Sequence, residues 1–247
     1  MQKYLLPILL LCFVQIGQAQ GYYFGLKGGL TVGTQQWQSL DRDPLFKYHG
    51  TAFIESIAEE NSFGVFAQAG YHMKGSAIRN RLFQNQLNGG FFRPPAYEFI
   101  FKNASLTLGA KQKFDFGLSG KWFYLIGVRG DYNLGTNLAQ FREFIERNPA
   151  FAIFPIDDPE FIREITYGVT MGGGLEVPFS EFVGLIFEFT INPDFSFQYV
   201  QPAIPNVQDP FTGSNRTIPM RQIRNLTLEL TVGFRFLRKI EYIEHIY

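Results

Sequence analysis

The feature that most restricts the fold of this chain is a long run of alternating residues near its C-terminus. From Arg224 to Phe236 the sequence reads RNLTLELTVGFRF, in which every second residue from Leu226 onward is apolar. This period of two places successive side chains on opposite faces of a β-strand. Strands of soluble domains are usually about five or six residues long, whereas a tilted membrane-spanning strand needs about nine to eleven. The length of the run therefore favours a strand that crosses a membrane.

The same alternation recurs in seven other segments, two of which are less regular. In chain order they are Tyr22–Thr34, Tyr48–Ala58, Phe63–Lys74, Phe99–Phe114, Trp122–Tyr132, Ile165–Val177 and Val183–Ile191. The links between them are alternately short and long, which is typical of outer-membrane barrels with short periplasmic turns and longer extracellular loops. A soluble β-sandwich would bury the apolar faces between two sheets instead. Strand length and loop asymmetry favour an all-β fold, an eight-stranded antiparallel transmembrane β-barrel.

The N-terminal residues have the pattern of an export signal. Lys3 is followed by an apolar run from Tyr4 to Ile16 and then by small residues that end at Ala19, and the run is too short for a spanning helix. We therefore expect a signal peptide over 1–19, a barrel over 20–237 and a short periplasmic tail over 238–247. The only cysteine, Cys12, lies inside the expected signal peptide. The expected location is the cell outer membrane.

Composition and charge point to lipid as the main partner. The chain has 22 basic and 22 acidic residues, which gives no excess of positive charge for nucleic acid. Aromatic residues make up 17% of the chain, with 28 Phe, and outward aromatic residues near strand ends are typical of the two interfacial girdles of a barrel. We expect contacts with outer-membrane lipid, no nucleic-acid partner and no cofactor.

The faces opposite the apolar positions carry charges that balance. With this assignment of faces, five cations and five carboxylates point into the barrel lumen: Lys27, Glu55, Lys74, Lys111, Arg129, Asp131, Glu176, Glu188, Glu229 and Arg235. An eight-stranded barrel is narrow enough for side chains to fill it. The balance favours a salt-bridged plug, in which each buried charge is paired. The alternative is a polar conduit or a proton path.

Candidate catalytic and metal-binding residues are few. His49 and His72 are expected toward the outer rim of neighbouring strands, and Ser76 follows closely, so a lipid hydrolase is one alternative. Two pairs of loop acids lack the rest of a calcium loop and are expected to be solvated. They are Asp41 with Asp43, and Asp157 with Asp158. The sequence therefore predicts neither a catalytic nor a metal site.

Four segments resemble a known family of barrels. They read YYFGLKGGLTVG, FGVFAQAGYHMKGSA, KWFYLIGVRGDYNLG and LTLELTVGFRF, and the similarity runs from about Gly21 to Phe236. The chain is similar here to the PorT-like outer-membrane barrels of Bacteroidota. The resemblance implies a barrel without a catalytic signature, in a family whose best-known member is an accessory of the type IX secretion system. The long third and fourth outer loops and the tail LRKIEYIEHIY depart from the family pattern.

Three functions stay open at the level of sequence. The first is a non-enzymatic scaffold or accessory that binds envelope or secretion-system proteins through its extracellular loops. The second is a small passive pore or ligand-uptake barrel, and the third is a lipid-modifying enzyme. The apolar loop pieces AFAIFPI and GGFFRPPAY fold over the barrel mouth or dock a partner. The segment LAQFREFIERN in the third long loop predicts a short helix.

Overall fold

The structure, a computed structural model, consists mainly of β-strands. It describes residues 21–37, 41–57, 62–79, 82–84, 89–92, 96–117, 120–147, 154–209 and 212–239. The expected signal peptide and most of the expected tail lie outside the described residues. The strands in chain order are β1 Gly21–Gln36, β2 Leu45–Ile57, β3 Phe63–Ile78, β4 Phe83–Gln84, β5 Phe91–Phe92, β6 Tyr97–Phe116, β7 Gly120–Thr136, β8 Ile165–Pro178, β9 Val183–Pro193, β10 Tyr199–Gln201, β11 Ile204–Gln208, β12 Asn215–Ile218 and β13 Arg221–Lys239.

Eight of these strands close into one antiparallel ring. The order is β1-β2-β3-β6-β7-β8-β9-β13, and β13 pairs with β1 from Gly21↔Lys239 to Gln36↔Arg224. Closure gives every ring strand two neighbours, which is the condition for a sheet to exist in lipid, where water cannot satisfy an open edge. The predicted eight-stranded antiparallel barrel is confirmed, and each predicted segment falls on one ring strand.

The two ends of the ring differ in the length of their connections. The turn end carries the start of β1 and the short links 58–62, 117–119 and 179–182. The loop end carries four longer links, which we name L1 (37–44), L2 (79–96), L3 (137–164) and L4 (194–220). The predicted alternation of short turns and long loops is therefore confirmed.

The outer surface of the ring is apolar and its interior is polar. Adjacent residues of β13 show the contrast, since Leu230 is 56% exposed and Thr231 only 4%. Large apolar side chains form an exposed band around the ring: Leu26, Leu30, Ile54, Leu106, Leu108, Ile126, Val128, Phe187, Phe189, Leu230 and Val232. A soluble barrel would place these residues inside. The exposed band and the closed ring make this a transmembrane barrel fold.

Short elements occupy the long loops. L3 contains a 3-10 turn, Leu138–Phe141, followed directly by helix α1, Arg142–Arg147, so the predicted helix is confirmed. L2 contains the β4–β5 hairpin and L4 the β11–β12 hairpin. These hairpin strands have two to five residues each, which is too short for alternation to predict them. In the described part of the chain no helix is long and apolar enough to cross a membrane.

Candidate functional site

The turn-end part of the lumen holds a cluster of three cations and two carboxylates. Lys111 Nζ lies 2.6 Å from Glu55 Oε2 and 3.4 Å from Glu176 Oε1. Lys113 Nζ contacts the same two carboxylates at 2.5 and 3.0 Å, and Arg235 Nη1 lies 2.8 Å from Glu176 Oε2. The cluster joins β2, β6, β8 and β13 across the lumen, so these side chains fill the barrel.

A layer of apolar side chains lies next to this cluster. It consists of Phe53, Phe66, Phe123, Leu125 and Ile186, all buried. Lumen-facing glycines leave room for the rings: a Cβ at Gly109 would lie 2.7 Å from the Phe66 ring, and one at Gly174 would lie 2.7 Å from the Phe123 ring. Because real Cβ atoms essentially never approach this closely, glycine is required at both positions. At these two positions glycine therefore serves packing inside the barrel.

Two histidines lie in the middle of the lumen. The rings of His49 and His72 are stacked with centroids 5.4 Å apart. His72 Nδ1 lies 2.7 Å from Glu229 Oε1, while the ring nitrogens of His49 lie 3.0 Å from Thr31 Oγ1 and 2.9 Å from Thr231 Oγ1. The sequence placed both histidines toward the outer rim. Both do lie on the loop-end side of the middle of their strands, since β2 begins four residues before His49 and β3 ends six residues after His72, but their side chains are buried inside the barrel.

A second ion-pair cluster fills the lumen between the histidines and the loop end. Lys74 Nζ donates to Asp131 Oδ2 at 2.6 Å and to Asp194 Oδ1 at 2.9 Å. Arg129 contacts the same carboxylates, with Nη2 2.8 Å from Asp194 and Nε 3.2 Å from Asp131. Asp131 also accepts a hydrogen bond from Ser105. All four charged side chains are almost completely removed from solvent.

All ten charged residues expected in the lumen are buried, and nine of them belong to ion pairs within it. Lys27 and Glu188 form a separate pair at 2.6 Å, seven others belong to the two ion-pair clusters, and Glu229 contacts His72. Sequence reasoning missed two members, Lys113 and Asp194. Lys113 shares the inward face of Lys111 two residues away, so the alternation could have found it. Asp194 follows the end of β9, where the strand pattern had stopped.

The loop end of the lumen is closed by an apolar plug. It combines lumen-facing residues of the strands with residues of L3 and L4. Its buried members are Ile78, Phe99, Phe101, Leu138, Phe141, Phe154, Tyr199 and Ile223. The rings of Phe141 and Phe154 are stacked at 4.6 Å, and the Tyr199 hydroxyl donates to the Ile156 carbonyl at 3.1 Å. Burial raises the pKa of the Tyr199 hydroxyl above its usual range.

The plug bears on an alternative that the sequence left open. Of the apolar loop piece AFAIFPI the structure describes residues 154–156, and within them Phe154 packs against Phe99 and Phe141 at the barrel mouth. In the piece GGFFRPPAY, Tyr97 packs against the plug whereas Phe91 is 66% exposed. In their described residues the two loop pieces therefore differ: Phe154 is buried in the plug, whereas Phe91 presents an apolar side chain to its surroundings.

The loop acids that could have touched a cation have protein partners instead. Asp157 accepts a hydrogen bond from Arg142 Nη2 at 2.5 Å. Asp158 accepts from the backbone N–H of Glu160 at 2.9 Å and so caps a short 3-10 helix. Asp43 accepts from the backbone N–H of Arg79 at 2.7 Å, which ties L1 to L2. These contacts give Asp43, Asp157 and Asp158 structural roles in the loops.

Among the described residues, the ten expected residues together with Lys113 and Asp194 bring six cations and six carboxylates into the lumen. Pairing inside the barrel offsets the cost of removing these charges from water. These pairs link strands on different sides of the barrel through its lumen. His72 and Glu229 resemble part of a catalytic dyad, but both lie under the plug. Ser76 donates to Gln35 Oε1 at 2.7 Å, so the structure does not bring it to His72 by a hydrogen bond.

No family model matches the chain. No curated protein matches it either. Among solved structures it is similar to Neisserial surface protein A, with 10% identity over 87% of this chain and 96% of that chain and a TM-score of 0.47. It is also similar to outer membrane protein OprG from Pseudomonas aeruginosa, with 14% identity over 89% of this chain and 97% of that chain and a TM-score of 0.48. A third similar structure is outer membrane protease OmpT from Escherichia coli, with 8% identity over 89% of this chain and 97% of that chain and a TM-score of 0.40. At these scores the similarities carry no functional argument.

Proposed function

We propose that this chain is an integral outer-membrane protein that acts as a non-enzymatic scaffold or accessory through its loop end. The observation that carries the proposal is the closed lumen. Two ion-pair clusters and an apolar layer fill the barrel, and the plug covers its mouth. A barrel with no aqueous path through its lumen contacts other molecules through its membrane-facing surface and its loops. We place the turn end in the periplasm and the loop end at the cell exterior, because bacterial outer-membrane barrels have short periplasmic turns and longer extracellular loops.

The loop end offers features that suit protein contacts. Four large apolar side chains of the loops are between 45% and 66% exposed. They are Leu82 beside the β4–β5 hairpin, Phe91 within that hairpin, and Phe195 and Met220 in L4. Exposed apolar side chains in loops that are held by a rigid barrel are suited to binding a partner. The resemblance to PorT-like barrels supports a partner among envelope or secretion-system proteins. Membership of that family is part of this proposal.

The two other functions make different demands on the structure. A passive pore or ligand-uptake barrel needs a path through the lumen, and its signature is conductance across a planar bilayer. A lipid-modifying enzyme needs a reactive group that lipid can reach. His72 is only 3% exposed, so changing it to Ala should leave lipid turnover unaltered. Loss of lipid turnover in that variant would support the enzyme in place of the scaffold.

In-membrane cross-linking tests the proposed function. A photoreactive amino acid replaces Phe91 in tagged full-length protein, and a matched variant carries it at Leu230 on the lipid-facing band. After irradiation of cells, the cross-linked proteins are identified by mass spectrometry. We expect reproducible envelope or secretion components from the Phe91 variant and none of them from the Leu230 variant. Recovery of the barrel alone from both variants contradicts a scaffold or accessory role.

A further inference from the structure

A half-open pocket lies on the side of the plug at the loop end. Its volume is about 350 Å³, within the range of small-ligand sites. The start of β6 forms one wall and the 3-10 turn and helix α1 of L3 form the other. Among the described residues it is lined by Ala96, Tyr97, Glu98, Asn137, Gln140, Phe141, Phe144 and Phe154.

The apolar part of the lining consists of four aromatic rings. Phe154 is at the centre of the group, 4.6 Å from Phe141, 4.9 Å from Tyr97 and 5.1 Å from Phe144 between ring centroids. Tyr97 and Phe144 meet Phe154 edge to face. The mutual packing holds the rings in fixed positions. Phe144 is still 40% exposed, so an aromatic surface is available to a ligand without rearrangement of the plug.

The polar part of the lining consists of carboxamides held in place by the backbone. Asn137 Nδ2 donates to the Glu98 carbonyl at 2.9 Å, and Gln140 Nε2 donates to the same carbonyl at 3.2 Å. Asn137 Oδ1 accepts from the backbone N–H of Ile100 at 2.8 Å. A carboxamide has two N–H donors and an oxygen with two lone pairs. Each side chain therefore keeps hydrogen-bonding capacity for a ligand.

The lining gives the pocket little preference for a charged ligand. The Glu98 carboxylate is paired with Lys47 Nζ at 2.7 Å and with Arg79 Nη2 at 3.5 Å. Because Glu98 is already paired, it attracts a cationic ligand only weakly. Lys47 and Arg79 are paired with it in turn, so they attract an anionic ligand only weakly. An entirely apolar ligand would cover the carboxamides and leave their spare capacity unsatisfied. The pocket instead suits a neutral molecule that has both apolar faces and hydroxyl groups.

We propose that this pocket binds a neutral sugar unit of a glycan at the cell exterior. The C–H faces of a pyranose pack on Phe144 and Tyr97, and its hydroxyl groups exchange hydrogen bonds with the carboxamides of Asn137 and Gln140. Since the pocket lies beside the plug and outside the lumen, binding requires no opening of the barrel. This activity goes beyond the scaffold role and does not depend on it.

A glycan array probed with the full-length protein in nanodiscs tests the proposal. Neutral and anionic oligosaccharides are compared, and the affinity of the strongest neutral binder is then measured by titration calorimetry. The test variant changes Phe144 and Gln140 to Ala, because both side chains are exposed and neither belongs to the buried plug. Phe179→Ala, which removes an exposed phenylalanine of the turn 179–182 at the opposite end of the barrel, is the matched control.

We expect binding of one or more neutral oligosaccharides, a loss of affinity of at least about tenfold in the double variant, and unchanged affinity in Phe179→Ala. Far-ultraviolet circular dichroism verifies that every variant keeps its β-structure. Failure of the wild-type protein to bind any neutral oligosaccharide overturns the proposal, as does binding of anionic glycans only. Equal affinity of the wild type and the double variant also overturns it, because the sugar then binds elsewhere.

Discussion

At the scale of single residues, the structure depends on buried charges that have more than one partner. Lys74 is the clearest example, because its fully buried ammonium lies between Asp131 and Asp194. A buried ion pair adds little stability compared with a well-packed apolar pair, yet removal of one partner leaves an uncompensated charge. Burial of Lys74 follows from its place on the inward face of β3. Its pairing with Asp194 could not be predicted, because that contact joins residues far apart in sequence.

We predict that Lys74→Met destabilises the barrel by about 3–5 kcal/mol, since Asp131 and Asp194 lose their shared cation. Urea-dependent refolding into lipid vesicles measures the change. Lys102→Met is the matched control, because Lys102 is exposed and its loss should change the stability by no more than about 0.5 kcal/mol. Equal losses in the two variants would contradict the assigned lumen network.

Neighbouring residues of β13 report which face meets lipid. In a background with Cys12 changed to Ser, nitroxide labels are attached to Leu230→Cys and Thr231→Cys. We predict strong relaxation of the Leu230 label by oxygen, which concentrates in the bilayer, because this side chain is exposed whereas Thr231 lies in the lumen. Electron paramagnetic resonance measures the difference. A Thr231 label that is the more accessible to oxygen would reverse the assignment of faces.

At the scale of elements, alternation predicted the ring strands and their inward faces because both follow from a local period of two. A cover over the barrel mouth was only one of two alternatives for the apolar loop pieces, and the strand residues that take part in the plug were not predicted. Phe99 and Phe101 lie on the inward face of β6. In the sequence, however, aromatic residues near a strand end are equally compatible with a place at the lipid interface. Only their contacts with L3 and L4 show that they belong to the plug. The short loop hairpins were missed for a similar reason. Their pairing depends on neighbours and leaves no pattern within two to five residues.

We predict that Phe154→Ala destabilises the loop end, because its ring contacts Phe99, Phe141 and Tyr97 in the buried plug. Truncation of a buried phenylalanine costs about 3–5 kcal/mol. Limited proteolysis of the protein in vesicles measures faster cleavage within L3. Phe91→Ala, which removes an exposed ring, should cleave as the wild type does. An unchanged cleavage rate in Phe154→Ala would mean that the plug does not hold L3.

At the scale of the whole molecule, pairing of β1 with β13 converts a sheet into a barrel. The register places Leu30 opposite Leu230. In the Cys12→Ser background, Leu30→Cys with Leu230→Cys should react with a short bifunctional thiol reagent and yield a cross-linked species of altered mobility on denaturing gels. Leu26→Cys with Leu230→Cys is the control, because Leu26 lies opposite Phe234. More efficient cross-linking of the control pair would contradict the register.

Closure of the lumen is the central claim, and planar-bilayer conductance tests it most directly. The full-length protein is reconstituted at low density, and current is recorded across a range of voltages in concentrated salt. A known open porin in the same membrane verifies that single channels are detected. We predict no stepwise conductance, because the two ion-pair clusters and the plug leave no continuous aqueous path. Reproducible ohmic steps from the wild-type protein would contradict the closed barrel and would make a passive pore its function.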